Sequence, residues 1–353
     1  MKTKTQNPLL TSIVISSRYL SVWVAIGLLL LVCLWVAPET LTRTSFTTVM
    51  PLTSFLALTA LGQMLVVMTG GIDLSTPGIM TLAALMTVGI AGKSDENMPV
   101  ALATALGVSL LIGLCTGTLV GVLKLNPLIV TLAMGQIVNG SMLAYADKVA
   151  NEARVPPGFA EWITRPFAFG LNNVESTAIG ISILLILIFR YTSVGRKFQS
   201  VGANPAAAWI LGLRVNGYVI LAYMAAAFLY GLSGVLLAGF LQSPSLVLGI
   251  PYLLGPIATV VIGGASLSGG LASAASTWAS AFFLTLLSQM LRVLGLPTSL
   301  QFVVFGVAII GGMVISGDRI ITLIENLLRN SGTLEDAQQV LKDQHAQGGS
   351  MPE

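Results

Sequence analysis

The chain has 353 residues, of which 55% are hydrophobic and 9% are charged, and its mean hydropathy is +0.88. Soluble proteins carry about 25% charged residues, so most of this surface does not face water and a soluble globular enzyme is excluded. The formal net charge of +3 comes from basic residues scattered over many loops, which is not the pattern of a nucleic-acid-binding surface.

Long apolar runs predict an all-α membrane protein with about ten transmembrane helices. The runs are 19–36, 54–69, 77–91, 100–123, 127–145, 178–191, 217–240, 252–262, 271–291 and 300–316. Three of them, 77–91, 178–191 and 252–262, are shorter than the roughly 17 to 25 residues that a straight spanning helix needs. We therefore expect tilted, interrupted or partly inserted segments at these three places.

Basic residues set the expected orientation. With the N-terminus inside, the inner segments hold eleven of the 17 Lys and Arg residues, whereas the acidic residues divide evenly between the two sides. The positive-inside rule then makes both termini cytoplasmic. We expect a cytoplasmic segment 1–18, whose following span is an uncleaved anchor, a transmembrane domain 19–318 with a cytoplasmic segment 192–216, and a cytoplasmic tail 319–353.

The spans contain almost no ionisable residues, which argues against ion-coupled transport and against catalysis. The only histidine, His345, lies in the tail, and Asp73 lies at the end of a span. A glycine-rich turn carries Ser266, but no span offers a histidine base. No P-loop sequence is present, and Cys33 and Cys115 are expected to be buried small hydrophobic residues. We therefore expect no catalytic, metal or cofactor site in this chain.

Uncharged polar residues within the spans leave two interpretations open. Such residues hydrogen-bond between helices, which contributes roughly 0.6 kcal/mol each, or they line a path for a polar, uncharged solute. The residues concerned are Gln63, Gln136, Asn139, Ser141 and Gln289.

The inner segment after the sixth span contains a short helix with clear boundaries. Asn204 is a preferred N-cap, Pro205 is a preferred first residue, Ala206 and Ala207 follow, and Gly212 has the position of a left-handed C-terminal cap. About two turns of helix are not stable alone in water, so the helix must dock on a partner or on lipid headgroups. Its apolar edge comprises Trp209, Ile210 and Leu213.

Three segments, in chain order, carry a resemblance to a known family. They read Gly-Gly-Ile-Asp-Leu-Ser at 70–75, Thr-Ser-Val-Gly-Arg at 192–196 with Gly-Ala-Asn at 202–204, Ala-Ala at 206–207 and Gly-Leu at 212–213, and Ala-Thr-Val-Val-Ile-Gly-Gly-Ala-Ser-Leu-Ser-Gly-Gly at 258–270. Over roughly 54–318 the chain resembles the membrane permease subunits of bacterial monosaccharide ABC importers, of the ribose, xylose and galactose type.

The resemblance implies a ten-helix importer permease that pairs with a second copy or a paralogue around a central path. It implies that 192–216 is a coupling segment whose helix enters a groove of a cytoplasmic ATPase, which binds ATP and magnesium. A periplasmic sugar-binding protein is the third implied partner. The 146–177 loop is either its docking surface or a solvated connector. The fifth span is implied to lie beside the path, which makes Gln136 and Asn139 the candidate path residues.

Two glycine motifs end apolar runs, and their physical interpretation is independent of the family. Glycine at these positions permits backbone turns or close helix approach that a Cβ would block. Asp73 and Ser75 are placed to cap the next short helix, with Pro77 as an early helical residue; the alternative gives Asp73 a direct contact with the ATPase or the solute. The motifs contain Gly70, Gly71, Asp73 and Ser75, and Gly263, Gly264 and Ser266.

The chain also departs from the family pattern. Thr76 and Pro77 stand where the family usually has Val-Gly, and 252–257 replaces an acidic segment; the missing acids motivate the hypothesis of a heterodimer with a second, more regular permease. We expect the permease subunit of an ATP-driven importer in the bacterial inner membrane, passing a polar, uncharged solute such as a monosaccharide. The alternatives are an ion-gradient-driven secondary transporter, a channel without ATPase partners, or a membrane-embedded enzyme.

Overall fold

The computed structural model describes residues 8–149, 154–168, 170–242, 245–297, 299–304, 306–307 and 310. Its strands β1 (Pro166–Ala168) and β2 (Leu171–Asn172) pair antiparallel, and short 3-10 helices lie at Pro38–Leu41, Asp95–Asn97 and Ile250–Tyr252. The α-helices are α1 (Pro8–Val36), α2 (Arg43–Met68), α3 (Thr76–Ala91), α4 (Met98–Gly121), α5 (Pro127–Val149), α6 (Pro157–Thr164), α7 (Asn173–Tyr191), α8 (Ser193–Ala203), α9 (Pro205–Ile210), α10 (Val215–Leu241), α11 (Gly255–Ile262) and α12 (Ala274–Val293).

The predicted spans are recovered as helices in the part of the chain that the structure describes. There, seven helices are long and apolar enough to cross a membrane, and two shorter apolar helices lie at Thr76–Ala91 and Ile250–Ile262. The two shorter helices coincide with the third and eighth predicted spans. The tenth predicted span, 300–316, is helical where it is described. The predicted tail, 319–353, lies outside the described residues, as does His345.

The sixth span is longer than the apolar run 178–191 predicts. The helix begins five residues earlier because Asn172 and Glu175 form a capping box: the Glu175 N–H donates to the Asn172 side-chain oxygen (3.2 Å), and the Asn172 N–H donates to the Glu175 carboxylate (2.6 Å). This polar first turn interrupts the apolar pattern. At 19 residues α7 has the length of a membrane span, so the prediction of a short sixth span was wrong.

The core is organised around α10, which packs against α2, α3 and α4. Gly113, Gly117 and Gly121 of α4 recur every four residues and face α10. A Cβ at Gly113 would lie 2.6 Å from the Tyr223 carbonyl oxygen. Small residues at this spacing let helix backbones approach closely in apolar surroundings. The spacing is readable in the sequence, but apolar runs alone do not reveal it.

The third span is interrupted. Residues 71–75 form no helix, although Asp73 is only 2% exposed and Ser75 is fully buried; α3 then adds 16 residues. The 16 residues of α3 rise only about 24 Å at 1.5 Å each, so the buried, non-helical residues before them are needed to complete a crossing of roughly 30 Å. Irregular backbone at membrane depth requires cover by protein, so the expected interruption is confirmed here.

The two cysteines differ in exposure. Cys33 is buried, as expected, whereas Cys115 is exposed. Cys115 lies on the opposite side of α4 from Gly113 and Gly117, the residues that face α10. The prediction that Cys115 is buried within the protein was therefore wrong, because an apolar run does not show which face of a helix meets protein.

The 146–177 loop is folded where it is described. It contains α6 and the β1–β2 hairpin. The Asp95 carboxylate accepts hydrogen bonds from the backbone N–H groups of Gly158 and Phe159, each at 3.0 Å. Because these N–H groups belong to the first turn of α6, Asp95 caps that helix from the α3–α4 connection. The loop therefore presents a positioned helix rather than an unstructured connector.

Candidate functional site

The predicted coupling segment, 192–216, folds as two short helices, α8 and α9, followed by the start of α10, and the sequence predicted only the second of the two. The N-cap of α8 is Thr192, whose side-chain oxygen accepts a hydrogen bond from the Gly195 N–H (3.3 Å). The helix buries Gly195, Phe198 and Val201. These positions are spaced three apart and define one buried face. Their spacing was the available signal, although the helix is too polar to stand out as an apolar run.

The boundaries of α9 are those that its sequence predicts. The side-chain oxygen of Asn204 accepts a hydrogen bond from the Ala207 N–H at 3.0 Å, and Pro205 begins the helix. Gly212 has φ +80°, and its N–H donates to the Trp209 carbonyl oxygen (2.9 Å). The N-cap and the left-handed glycine are both confirmed.

The tip of α9 is apolar and uncovered in the described part of the chain. Trp209 is 72% exposed, and Ile210 and Leu211 are each 77% exposed. Leu213, predicted to share this edge, is half-buried, because the turn at Gly212 carries the chain back so that the Leu213 N–H donates to the Ala208 carbonyl oxygen (3.0 Å). The apolar edge is therefore Trp209–Ile210–Leu211, here termed the α9 tip.

Backbone atoms of three chain segments, one of them α8, meet at a single point. The Gly270 N–H donates to the Met68 carbonyl oxygen at 2.9 Å. A Cβ at Gly202 would overlap that same oxygen and would lie 2.6 Å from the Gly270 nitrogen, and a Cβ at Gly269 would lie 2.6 Å from the Gly202 carbonyl oxygen. We term Met68, Gly202, Gly269 and Gly270 the glycine junction. Each of the three segments that carry the family resemblance reaches or adjoins this point.

The predicted turns and close approaches of the two glycine motifs are confirmed. Gly70 and Gly264 both have φ +81°, a backbone conformation that side chains disfavour. A Cβ at Gly71 would lie 2.5 Å from the Tyr223 hydroxyl oxygen, and one at Gly263 would lie 3.2 Å from the Thr277 nitrogen. Glycine therefore favours a turn at Gly70 and Gly264 and a close approach of other segments at Gly71 and Gly263.

Ser266 closes a backbone turn. Its N–H donates to the Leu271 carbonyl oxygen (2.9 Å), and its own carbonyl oxygen accepts from the Gly269 N–H (3.0 Å). These bonds hold the loop that reaches the glycine junction, so the described contacts of Ser266 are structural.

The capping prediction for Asp73 and Ser75 needs correction. Ser75 has the N-cap position of α3, but its side chain makes no capping hydrogen bond. Its hydroxyl and its backbone N–H instead donate to Asp73 Oδ1, at 2.6 and 2.8 Å. With 2% of its surface exposed, Asp73 presents no face to the outside of this chain.

Gln63 satisfies the backbone of the interrupted third span. Its amide fits with the oxygen accepting from the Asp73 N–H (3.1 Å) and the nitrogen donating to the Asp73 carbonyl oxygen and to the Tyr230 hydroxyl oxygen (3.0 Å each). The Thr131 hydroxyl donates to the Ile72 carbonyl oxygen (3.3 Å). For Gln63, hydrogen bonding between segments is therefore the confirmed interpretation. Tyr230, its partner, lies 167 residues further along the chain, and no local signal in the sequence pairs the two.

The two candidate path residues lie near the start of α3. Asn139 is half-buried, and its side-chain oxygen lies 3.2 Å from the position that a Cβ of Gly78 would occupy. Gln136 is exposed, one turn earlier on α5. Their contact with a solute stays a prediction. The other two polar span residues bond within their own helices, Ser141 to the Ile137 carbonyl oxygen and Gln289 to Arg292.

The described residues form a multi-span helical protein with an interrupted span and an exposed, capped helix between two spans, an architecture that suits a membrane transport permease. The family model described as "Branched-chain amino acid transport system / permease component" matches residues 45–313. This match covers most of the chain, and the chain belongs to that family. It is a multi-pass membrane transport component.

Individual relatives agree with the family assignment. The ribose import permease protein RbsC of Escherichia coli (strain K12) is 30% identical over 293 residues, which cover 81% of this chain and 90% of the relative. The fructose import permease protein FrcC of Rhizobium meliloti is 31% identical over 255 residues, which cover 70% and 71%. The autoinducer 2 import system permease protein LsrC of Enterobacter sp. (strain 638) is 29% identical over 306 residues, which cover 86% and 88%. No solved structure matches. The resemblance to importer permeases is confirmed.

Proposed function

We propose that this chain is the subunit that passes a polar, uncharged solute, a monosaccharide, across the bacterial inner membrane when a partner ATPase hydrolyses ATP. The observation that carries the proposal is the α9 tip, an exposed apolar surface on a capped helix that is bound to the spans through the glycine junction. The substrate class is supported by relatives named for ribose and fructose import. ATP and magnesium bind in the ATPase, and both termini are cytoplasmic.

Motion of α9 reaches the spans through backbone contacts. At the glycine junction the carbonyl of Met68, the last residue of α2, is hydrogen-bonded to Gly270 and lies against Gly202. No flexible side chain separates these segments, and packed protein interiors transmit displacement instead of absorbing it. α2 in turn contacts α10 where Gly62 meets Tyr230. An ATPase that moves α9 therefore moves α2 and α10 as rigid bodies.

The remaining partners fit other surfaces. A second permease copy, or a paralogue, covers the α5 face that exposes Gln136, because a lone amide facing lipid is costly. A periplasmic sugar-binding protein docks on the 146–177 loop, where Asp95 fixes α6 and Trp162 remains exposed.

Trp209→Asp tests the ATPase contact. A buried tryptophan at an interface commonly contributes 2 kcal/mol or more, which corresponds to roughly 30-fold in affinity. We therefore expect this variant to lose co-purification with the ATPase and ATP-driven solute uptake in proteoliposomes. Trp162→Asp, on the 146–177 loop, is the control and keeps ATPase co-purification.

Two outcomes would overturn the proposal. The first is full co-purification and uptake by the Trp209→Asp variant. The second is uptake by the native chain that continues without ATP and collapses with the ion gradient, which is the behaviour of a secondary transporter.

A further inference from the structure

A cavity of about 840 Å³ lies between the coupling segment and the connection from α4 to α5. Its lining includes Lys124 from that connection, Trp209 from α9, and Arg214 and Asn216 around the start of α10. No acidic residue lines it. The cavity lies between two segments that the positive-inside rule places on the cytoplasmic side, and each segment contributes a basic residue to it.

Both cations in the cavity are without a counter-charge in the described part of the chain. Lys124 has φ +56°, and its Nζ donates to the neutral Asn216 side-chain oxygen at 2.6 Å. Arg214 is exposed and makes no side-chain hydrogen bond or ion pair with another described residue. The two charges are therefore free to meet an anion.

The start of α10 adds to the positive potential. Arg214 has the N-cap position, and no side chain caps the first turn. The first N–H groups of a helix carry a partial positive charge. In a 27-residue helix this charge adds to that of the two basic side chains, although it does not by itself define a site.

Exposed apolar side chains lie next to this cationic cavity. Leu123 and Leu125 flank Lys124, and Ile129 follows in the first turn of α5; all three are exposed. At the cytoplasmic end of two spans, such side chains meet acyl chains, which places the neighbouring cations at the level of the headgroups.

We propose that this cavity binds the phosphate headgroup of an anionic phospholipid of the cytoplasmic leaflet. A phospholipid matches both features at once, since its phosphate meets Lys124 and Arg214 while its acyl chains cover Leu123, Leu125 and Ile129. A free phosphate ion or an acidic side chain of a partner protein matches only the charge. The bound lipid bridges the α4–α5 connection to the coupling segment and supports the position of α9.

Lipid selectivity of the full chain tests the proposal. The permease is stripped of lipid in detergent and incubated with equal amounts of phosphatidylglycerol and phosphatidylcholine, and the retained lipid is identified by native mass spectrometry. Each basic side chain near a surface gives about a fivefold gain for anionic lipid, so we expect roughly tenfold or greater enrichment of phosphatidylglycerol. The double variant Lys124→Gln with Arg214→Gln abolishes the enrichment. The control, Arg196→Gln with Lys197→Gln, removes two exposed α8 cations and retains it.

The design also separates the alternatives. Equal enrichment in native chain and double variant, or equal loss in the control, overturns the proposal. Displacement of phosphatidylglycerol by millimolar inorganic phosphate would indicate a site for a free anion. A double variant that keeps the enrichment but loses ATPase co-purification would indicate a contact with a partner protein. Either result contradicts the lipid proposal. If the double variant does not fold, Asn216→Asp places a carboxylate beside Lys124 without changing shape and must abolish the enrichment.

Discussion

Gly202→Ala tests whether the coupling segment is bound rigidly to the spans. A Cβ at Gly202 would overlap the Met68 carbonyl oxygen and would lie 2.6 Å from the nitrogen and 3.0 Å from the Cα of Gly270. All three are backbone atoms of other segments, so no side-chain rotation relieves the overlap. Either the coupling segment moves away from the spans or the junction itself separates.

The expected cost follows from these contacts. Adding a methyl group to a close-packed site costs about 1–3 kcal/mol. The hydrogen bond from the Gly270 N–H to the Met68 carbonyl oxygen, now 2.9 Å long, must lengthen, and a typical net loss is about 1 kcal/mol. Together these give a destabilisation of the glycine junction of roughly 2–4 kcal/mol.

The assay measures three quantities for the assembled transporter: ATPase co-purification, solute uptake per ATP hydrolysed and the thermal unfolding midpoint. Because the α9 tip is unchanged, we expect Gly202→Ala to keep ATPase co-purification while solute uptake per ATP hydrolysed falls and the thermal unfolding midpoint drops. Gly107→Ala is the matched control, since a Cβ there meets nothing within 4 Å. Uptake per ATP and an unfolding midpoint equal to those of Gly107→Ala would refute the rigid connection.

Two further predictions concern buried and capping hydrogen bonds. Asp95→Ala removes the side chain that caps α6, at a cost of about 1–2 kcal/mol. Amide hydrogen exchange in the first turn of α6 should then become roughly tenfold faster. Unchanged exchange would contradict the capping role of Asp95. Tyr230→Phe deletes a buried hydroxyl that lies 3.0 Å from the Gln63 amide and should cost about 1–3 kcal/mol in the detergent-solubilised unfolding assay. Tyr223→Phe is the control, because the Tyr223 hydroxyl has no hydrogen-bond partner within the described structure and its loss should be neutral or stabilising. Equal destabilisation by the two variants would contradict the hydrogen bond between Tyr230 and Gln63.

Local signals explain which elements were predictable from the sequence. The bounds of α9 follow from Asn204, Pro205 and Gly212, which act within one short stretch and need no distant partner. The start of α7 was missed because its capping box is polar, and hydropathy excludes the turn that begins the helix. α8 was missed because its buried face is narrow and most of its other residues are polar.

Long-range contacts account for most of what the sequence could not supply. The motifs predict that Gly70, Gly71 and Gly264 allow turns or close approach, but nothing local names the segment that approaches. The partners of Gly202 are Met68 and Gly270, far from it along the chain in both directions. The partners of Gln63 also lie in other segments. An uncharged polar side chain within a span predicts a hydrogen bond to another segment, but only the fold identifies Asp73 and Tyr230 as the residues that Gln63 contacts.

The two departures from the family pattern turn out to be neighbours. Pro77 lies in the first turn of α3, where its missing N–H leaves no hydrogen bond unmade. A Cβ at Gly249 would overlap the Pro77 carbonyl oxygen, and the Gly249 N–H donates to the Thr81 hydroxyl oxygen at 3.0 Å. Gly249 adjoins the 3-10 helix Ile250–Tyr252, which leads into the segment that lacks the family's acids. The first turn of α3, which carries one departure, therefore packs against the connection that leads into the other. The heterodimer hypothesis stays a prediction that the subunit composition of the assembled transporter tests, and recovery of a functional homodimer from this chain and its ATPase alone would count against it.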